Sequence, residues 1–245
     1  MSATGSRWIA MSAFLLSGCV VSVLAGPVIP SFEASYSIER AIFDVGRIQL
    51  RFQADPSGNY VYESVTEVAG FISWFRDDRV EESSRGLMDA SGIYPDHYRF
   101  ERIGGKADKQ AEVSFDRQSG RVKNLVYDQP WEMAVPDGTL DKLVVQLAMM
   151  RNLQNSLQDQ HFRVADGGKL KDFRIHIRGR EALDVPAGRF ETVKVEKTPE
   201  YGNRKTFLWL APALGYLPVR IMRIENDGAE YYSVLERVSD SLRAR

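Results

Sequence analysis

The chain has 245 residues, 44% of them hydrophobic and 11% aromatic, and its formal net charge is −1 at pH 7. This composition excludes a disordered chain, because it supplies enough apolar surface for a sizeable core, and the charge excludes the basic face that nucleic-acid binding requires. The single cysteine, Cys19, excludes both an internal disulfide framework and a multi-cysteine metal site.

Residues 1–25 are typical of an export signal, because Arg7 gives a positive start and Trp8–Leu16 is an uncharged apolar stretch. The sequence LSGC, which ends at Cys19, resembles a lipobox. Cleavage there would remove residues 1–18 and leave Cys19 acylated, in a membrane-anchored lipoprotein that faces the periplasm. Alternatively, cleavage after Ala25 would release a periplasmic protein. Apolar residues follow the cysteine where lipoproteins usually have a polar tether, which favours Ala25. Both alternatives predict the bacterial cell envelope.

Short strand-like segments follow the leader, separated by turn sequences rich in Gly, Asn, Asp and Pro such as DPSGN and ENDGAE. Within the segments, apolar residues alternate with polar ones, as in FEASYSI, RIQLRFQ and FRIHIRG, and FETVKVEK shows the same alternation with a slip. Such alternation indicates an antiparallel sheet with one buried face. The short spacing between turns predicts a barrel, a half-barrel or a sandwich.

One segment, residues 139–157, has helical periodicity instead. Its apolar residues recur at steps of three and four, which predicts one stripe on an amphipathic helix, with Asp137 or Thr139 as the N-cap. Such a helix would either pack against the core or form a lid over a ligand cavity. The stripe consists of Leu140, Leu143, Val144, Leu147, Met150, Leu153 and Leu157.

These patterns predict an all-β protein with minor α content. We expect a single domain over residues 27–245, in which a curved antiparallel sheet forms an open or half β-barrel with one long amphipathic helix. Neither a repeat nor a linker divides this range.

Catalytic signatures are absent from the sequence: HExxH, GxSxG and P-loop motifs do not occur. We therefore assign no catalytic residue, no cofactor and no metal site, and expect a protein that is not an enzyme. The stretch FRDDRVEESSRG is the one carboxylate-rich segment. Its acids could serve general acid–base chemistry, but the interleaved arginines favour a solvated, charge-paired hairpin. They are Asp77, Asp78, Glu81 and Glu82.

The apolar sequence GFISWF precedes this stretch and is the strongest indication of a binding function. Its side chains would be either core or an exposed apolar rim suited to an acyl chain, a membrane surface or a protein partner. His97, which lies among aromatic residues in YPDHYRF, would be either half-buried or a ligand contact. The predicted binding residues are Phe71, Ile72, Trp74, Phe75 and His97.

The order of motifs resembles a family of exported bacterial proteins called domain of unknown function 3108. The matching pieces are VAGFISWFRDDRVEESSRG, GIYPDHYRF, VSFDRQSGRV, LDKLVVQLAMMRNL, VPAGRFETVKVEK and FLWLAPALGYLPVRI, between Phe32 and Val238. The resemblance implies an envelope protein with a curved antiparallel sheet, and it implies no catalytic residues.

Three functions remain open from the sequence. The favoured one is a non-enzymatic envelope protein that binds a hydrophobic or amphipathic ligand, an acyl chain or a lipoprotein, in a curved sheet. The second is an envelope scaffold or assembly factor that binds another protein through GFISWF or a sheet edge. The third is a glycan or lipid hydrolase that uses Asp78 and Glu82. Membrane attachment is expected only through a lipid anchor.

Overall fold

Fifteen strands pair side by side in the computed structural model, which describes residues 29–69, 78–104, 108–126, 129–199 and 205–243. The strands are β1 (Phe32–Arg40), β2 (Phe43–Ala54), β3 (Asn59–Val68), β4 (Arg79–Met88), β5 (Ile93–Ile103), β6 (Lys109–Asp116), β7 (Arg121–Val126), β8 (Gln129–Ala134), β9 (Leu140–Asp141), β10 (Gln160–Asp166), β11 (Lys169–Val185), β12 (Gly188–Pro199), β13 (Lys205–Ala211), β14 (Leu217–Ile224) and β15 (Glu230–Val238). The helices are α1 (Val145–Asn155), α2 (Asp240–Arg243) and a 3-10 helix, Pro212–Leu214.

The sheet is one curved meander. From one edge of the sheet to the other, the strands follow in descending order from β8 to β1. Strand β1 then pairs with β15, and the order descends again from β15 to β9. All neighbouring strands are antiparallel except β9 and β10, which are parallel. The sheet curls until β9 lies against β4 and β5 without backbone pairing, through the hydrogen bond from Ser84 to Asp141 and the ion pair of Lys142 with Glu82. The prediction of a curved antiparallel sheet that forms an open half-barrel is therefore confirmed.

Period-two alternation places one face of each strand in the interior. In β11, Phe173 and Ile175 are buried and Arg174 is exposed between them, because successive side chains of a strand point to opposite faces. The same holds in β1, where Phe32 and Ala34 are buried on either side of the exposed Glu33. The apolar phase of the sequence thus determines which side of the sheet becomes the inside.

Helix α1 fills one end of the half-barrel, which we call the closed end. Its C-terminal half contacts two turns there: Arg151 donates to the carbonyl oxygen of Ala90, and Gln154 donates to that of Gly215 at 3.3 Å. Six of its eleven residues are buried, and they pack with aromatic side chains of β1–β3 in one core. The closed end is therefore packed with the protein's own side chains.

The prediction of one long amphipathic helix is wrong. The helix begins at Val145, and its buried residues lie on more than one side, because the sheet surrounds it. Leu140, the first residue of the predicted stripe, belongs to strand β9. The predicted N-caps are also wrong. Asp141 accepts the N–H groups of Leu143 and Val144 at 2.8 and 3.0 Å, just before the helix begins.

Candidate functional site

The end of the half-barrel opposite α1, which we call the open end, carries the connections after β1, β3, β5, β7, β10, β12 and β14. The antiparallel registers place these connections at one end. The end of β1 lies beside the start of β15. Likewise, Lys197 near the end of β12 pairs with Thr206 at the start of β13. Among the described residues, both helices and the 3-10 helix lie at the other end. The open end is therefore where a ligand could reach the interior.

Exposed apolar side chains surround the open end. Of the six large hydrophobic side chains that are exposed in the described ranges, five lie at or next to its connections. Ile42, which is 90% exposed, stands at the tip of the turn between β1 and β2. Exposed apolar groups gathered on one rim are typical of interaction surfaces. The five are Ile42, Phe43, Ile103, Leu125 and Leu170.

The inner wall near the open end carries a short, mostly apolar row that is only half-buried and that continues to Arg102, the partner of Asp78. Ile48 pairs with Thr66, and Thr66 pairs with Val80, so the three side chains form one row across β2, β3 and β4. All three are half-buried, whereas Phe52 and Tyr62, deeper on β2 and β3, are completely buried. Along β2 and β3 the interior thus changes from packed core to a half-buried wall.

A charged cluster lies on the facing wall and across the seam. The inward side chains of Lys142, Asp166, Lys171 and Lys197 come from the segment after β9 and from β10, β11 and β12. Lys142 binds Glu82 of β4 at 3.0 Å, and Lys171 binds Asp166 at 2.6 Å. Among the described residues Lys197 has no ion pair, and its ammonium lies 3.8 Å from the centre of the Phe173 ring. Burial, followed by the repulsion of nearby Arg223, lowers the pKa of Lys197 to about 8.

A buried polar chain joins β9 to the centre of the sheet. The hydroxyl of Ser84 donates to Asp141 at 2.6 Å and lies 3.2 Å from the hydroxyl of Tyr60. Burial raises the pKa of Asp141 to about 6, although Ser84 and two backbone N–H groups stabilise its charged form. Beside this chain, the Tyr98 hydroxyl donates to Glu82 at 2.7 Å. These contacts hold the half-barrel closed along a seam where the backbones do not pair.

A cleft of about 170 Å³ opens beside the seam, between β5–β6 and β10. It is lined by the aromatic rings of Tyr98 and Phe100 and by Lys142 and Asp166. The ammonium of Lys142 lies 4.2 Å from the centre of the Phe100 ring. The cleft therefore combines apolar and charged groups at the edge of the charged cluster.

A larger groove, of about 780 Å³, crosses the outer face of β15 and β1–β5. It is lined by five glutamates and three arginines, so negative charge is in excess there. Arg51 lies 3.6 Å from Glu33, and Arg99 binds Glu101 at 2.9 Å. Ligand pockets are mostly apolar with few polar groups. The groove is therefore a weaker candidate than the open end, despite its volume.

Most of the binding residues predicted from the sequence lie outside the described residues. This applies to Phe71, Ile72, Trp74 and Phe75 and to Cys19, together with the leader; they remain predictions. In the sequence, GFISWF stands between the end of β3 and the start of β4. His97 is on the outer face of β5, with its ring 3.9 Å from Glu112, and is therefore not part of the interior.

The carboxylates of the charged stretch are not arranged as an isolated pair. Asp78 binds Arg102 at 3.2 Å, Glu82 binds Lys142, and Glu81 binds Arg79 at 2.6 Å. Asp77 lies outside the described residues. These three carboxylates are thus charge-paired, but only Glu81 pairs with an arginine of the stretch itself, and Asp78 and Glu82 are half-buried rather than solvated. Within the described ranges, no group of His, Cys, Asp and Glu could hold a metal ion, and neither helix is long and apolar enough to cross a membrane.

Sequence reasoning missed Lys197, Arg223 and Asp141. A signal for Lys197 was present, because it continues the apolar phase of Val193 and Val195 in FETVKVEK. A lysine on the buried phase of a strand is costly and therefore informative. Asp141 lies within the segment predicted to be a helix, where the pattern indicates an ordinary polar residue.

The fold is similar to that of one solved structure. A crystal structure of a β-barrel-like protein, of domain of unknown function 1849 from Brucella abortus, superimposes with a TM-score of 0.57 at 9% identity, and the match covers 86% of this chain and 98% of that one. A candidate lipoprotein from Parabacteroides distasonis matches with a TM-score of 0.34 at 12% identity, over 87% and 97% of the two chains. A candidate exported protein with a YmcC-like fold from Bacteroides fragilis matches with a TM-score of 0.35 at 14% identity, over 87% and 98%.

No match was found among curated proteins. The profile of the family described as protein of unknown function DUF3108 matches residues 31–234, nearly all of the sheet. The resemblance seen in the sequence motifs is thereby confirmed, and the chain belongs to this DUF3108 family.

Proposed function

We propose that this is a non-enzymatic protein of the cell envelope, which binds the apolar part of an amphipathic ligand in the open half of its half-barrel. The proposal rests on the way side-chain packing changes along the interior, from the closed end to the open end. Side chains fill the closed end, whereas the row of Ile48, Thr66 and Val80 near the open end is mostly apolar and only half-buried. Ligand sites are typically concave, mostly apolar and supplied with a few convergent polar groups, and this wall fits that description.

The exposed rim supports the same function. Ile42 and Phe43 form an apolar tip beside the entrance, and Leu170 lies on the opposite edge. An acyl chain that moves from a membrane into the interior would otherwise cross water. Burying it stabilises the complex by about 0.8 kcal/mol per methylene group. An apolar rim lowers the barrier at the entrance, because the chain then stays in contact with apolar surface.

The proposal predicts that an acidic residue in the apolar row abolishes binding. Ile48→Asp should weaken the binding of N-phenylnaphthylamine, a neutral fluorescent probe, by at least about tenfold, because a ligand would then bury an unpaired carboxylate. Fluorescence titration measures the effect, and circular dichroism checks that the variant is folded. Gln49→Asp is the matched control, since Gln49 is the next residue on β2 and lines the outer groove.

Lipid analysis of the protein purified from a bacterial envelope without detergent provides the second test. Mass spectrometry should detect a co-purified lipid in a defined ratio to protein. If the wild-type protein carries no lipid and does not bind the probe, the proposal is wrong. The scaffold function would then be favoured, and crosslinking in cells would be the next experiment.

A further inference from the structure

Lys197 differs from the other inward-facing lysines near the open end. Lys142 and Lys171 are each paired with a carboxylate, at 3.0 and 2.6 Å. Lys197 has no such partner among the described residues, and its ammonium packs against the Phe173 ring instead. A half-buried ammonium group without a counter-ion is unfavourable unless something else supplies negative charge.

The surroundings of Lys197 add further positive charge. Arg223 lies on the same cross-strand row, since Lys197 pairs with Thr206 and Thr206 with Arg223. Counted together with Asp141, which is mostly ionised at pH 7, the cluster contains four cationic side chains and three carboxylates, those of Glu82, Asp141 and Asp166. Its net charge is therefore about +1, in a chain whose formal net charge is −1. The four cations are Lys142, Lys171, Lys197 and Arg223.

A polar side chain without a partner lies on the same row. Gln160 pairs with Ile175, which pairs with Lys197, so Gln160 and Lys197 are two strands apart on one face. Both amide atoms of Gln160 are buried, and neither has a hydrogen-bond partner among the described residues. Two strand spacings amount to roughly 10 Å, a gap that inward-pointing side chains and a bound oxyanion together can span.

We propose that Lys197 and Arg223 bind the anionic head group, a carboxylate or a phosphate monoester, of the amphipathic ligand. This inference rests on the proposed function and adds the chemical class of the ligand. The head group neutralises the excess charge of the cluster, and its oxygen atoms accept from the ammonium and the guanidinium. The acyl chain then lies against the half-buried row of Ile48, Thr66 and Val80 on the inner wall.

The test compares three ligands that share one chain but differ in head group. They are oleic acid, oleoyl lysophosphatidic acid and the neutral monooleoylglycerol, each displacing N-phenylnaphthylamine from the protein. Lys197→Met and Arg223→Met should each weaken the binding of the two anionic ligands by about tenfold, because each removes one charge-assisted hydrogen bond. The affinity for the neutral ligand should stay unchanged. Lys205→Met is the matched control, because Lys205 is exposed at the same end.

A pH series gives a second measurement. Lys197 must be protonated to bind an anion, and its pKa is about 8 in the free protein. The affinity for oleic acid should therefore fall above about pH 8 in the wild type, and Lys197→Met should lack this change. Glu82, Lys142, Asp166, Lys171 and Arg223 are present in both proteins, so their contributions cancel in the comparison.

The outcomes separate this inference from the function on which it rests. If the wild type binds the neutral ligand as tightly as the anionic ones, or if Lys197→Met weakens all three equally, the head-group site is refuted and the binding function stands. If the wild type binds none of the three, both fail. Loss for oleic acid alone would identify a carboxylate as the head group, and loss for the lysophospholipid alone would identify a phosphate.

Discussion

Asp141→Asn should remove a large pH dependence from the stability of the protein. Asp141 is completely buried, and its pKa is raised to about 6 in the folded state. In the unfolded chain an aspartate titrates near 3.9. The folded state therefore binds a proton more tightly than the unfolded state does, and the free energy of unfolding must fall as the pH rises between these values. The loss amounts to about 3 kcal/mol, at roughly 1.4 kcal/mol per pKa unit.

Asparagine preserves the geometry of the seam. Its carbonyl oxygen can still accept the N–H groups of Leu143 and Val144, and its amide can donate to Ser84, whose hydroxyl then donates to Tyr60. The variant should fold, and it should be more stable relative to the wild type at neutral pH than at acidic pH. Asp141→Ala should lose the same pH dependence and should in addition be about 3 kcal/mol less stable than Asp141→Asn at every pH, because it leaves buried donors without an acceptor.

Urea unfolding of wild type and variants from about pH 4 to pH 7.5 measures these differences. The difference between wild type and Asp141→Asn is the quantity to follow, because carboxylates in turns, such as Asp55 and Asp116, have lowered pKa values and change stability in the opposite direction. Asp184→Asn, at an exposed ion pair with Arg189, is the control and should have no such effect. A constant difference across the range would contradict the buried, raised-pKa carboxylate.

The strands could be predicted from the sequence because their signal is local. The alternation of Phe173, Ile175 and Ile177 with charged residues needs no knowledge of the partner strands, and it places β11 correctly. The pairing of β1 with β15 and the contact of β9 with β4 depend on residues more than fifty positions apart, such as Ser84 and Asp141. Nothing in a single sequence encodes such a pairing directly.

The helix shows how a local pattern can mislead. Steps of three and four continue from Leu140 through Leu153, yet the first residues of that series form a two-residue strand parallel to β10. A strand of two residues has no periodicity of its own, so its residues were assigned to the helical pattern that follows them. Tertiary contacts determined the boundary at Val145, as they often do at the ends of elements.

The candidate site was only partly accessible to sequence reasoning. Lysine at position 197 breaks the apolar phase of β12 and could have been noticed, whereas its relation to Arg223 and Gln160 follows from the strand order alone. The aromatic segment GFISWF attracted attention for its composition. The segment lies outside the described residues, so its role in binding stays a prediction.

Leu147→Ala should destabilise the protein strongly and leave ligand binding unchanged. Leu147 is completely buried in α1, inside the closed end of the half-barrel. Its truncation removes apolar contacts and leaves a cavity that the surrounding sheet cannot collapse to fill, at a cost of about 3–5 kcal/mol. Ile48→Ala, on the half-buried wall, should cost only about 1 kcal/mol, because less of that side chain leaves water on folding.

The two variants should behave in opposite ways in the binding assay. If the interior is divided into a packed closed end and an open ligand site, Leu147→Ala keeps its affinity for N-phenylnaphthylamine while its urea midpoint falls. Ile48→Ala should keep most of its stability and lose affinity, because its side chain contacts the ligand. A Leu147→Ala protein with unchanged stability would show that the closed end is loosely packed. Ligand could then occupy the whole half-barrel, and the head-group site near Lys197 would lie at the entrance of a deeper cavity rather than above a solid floor.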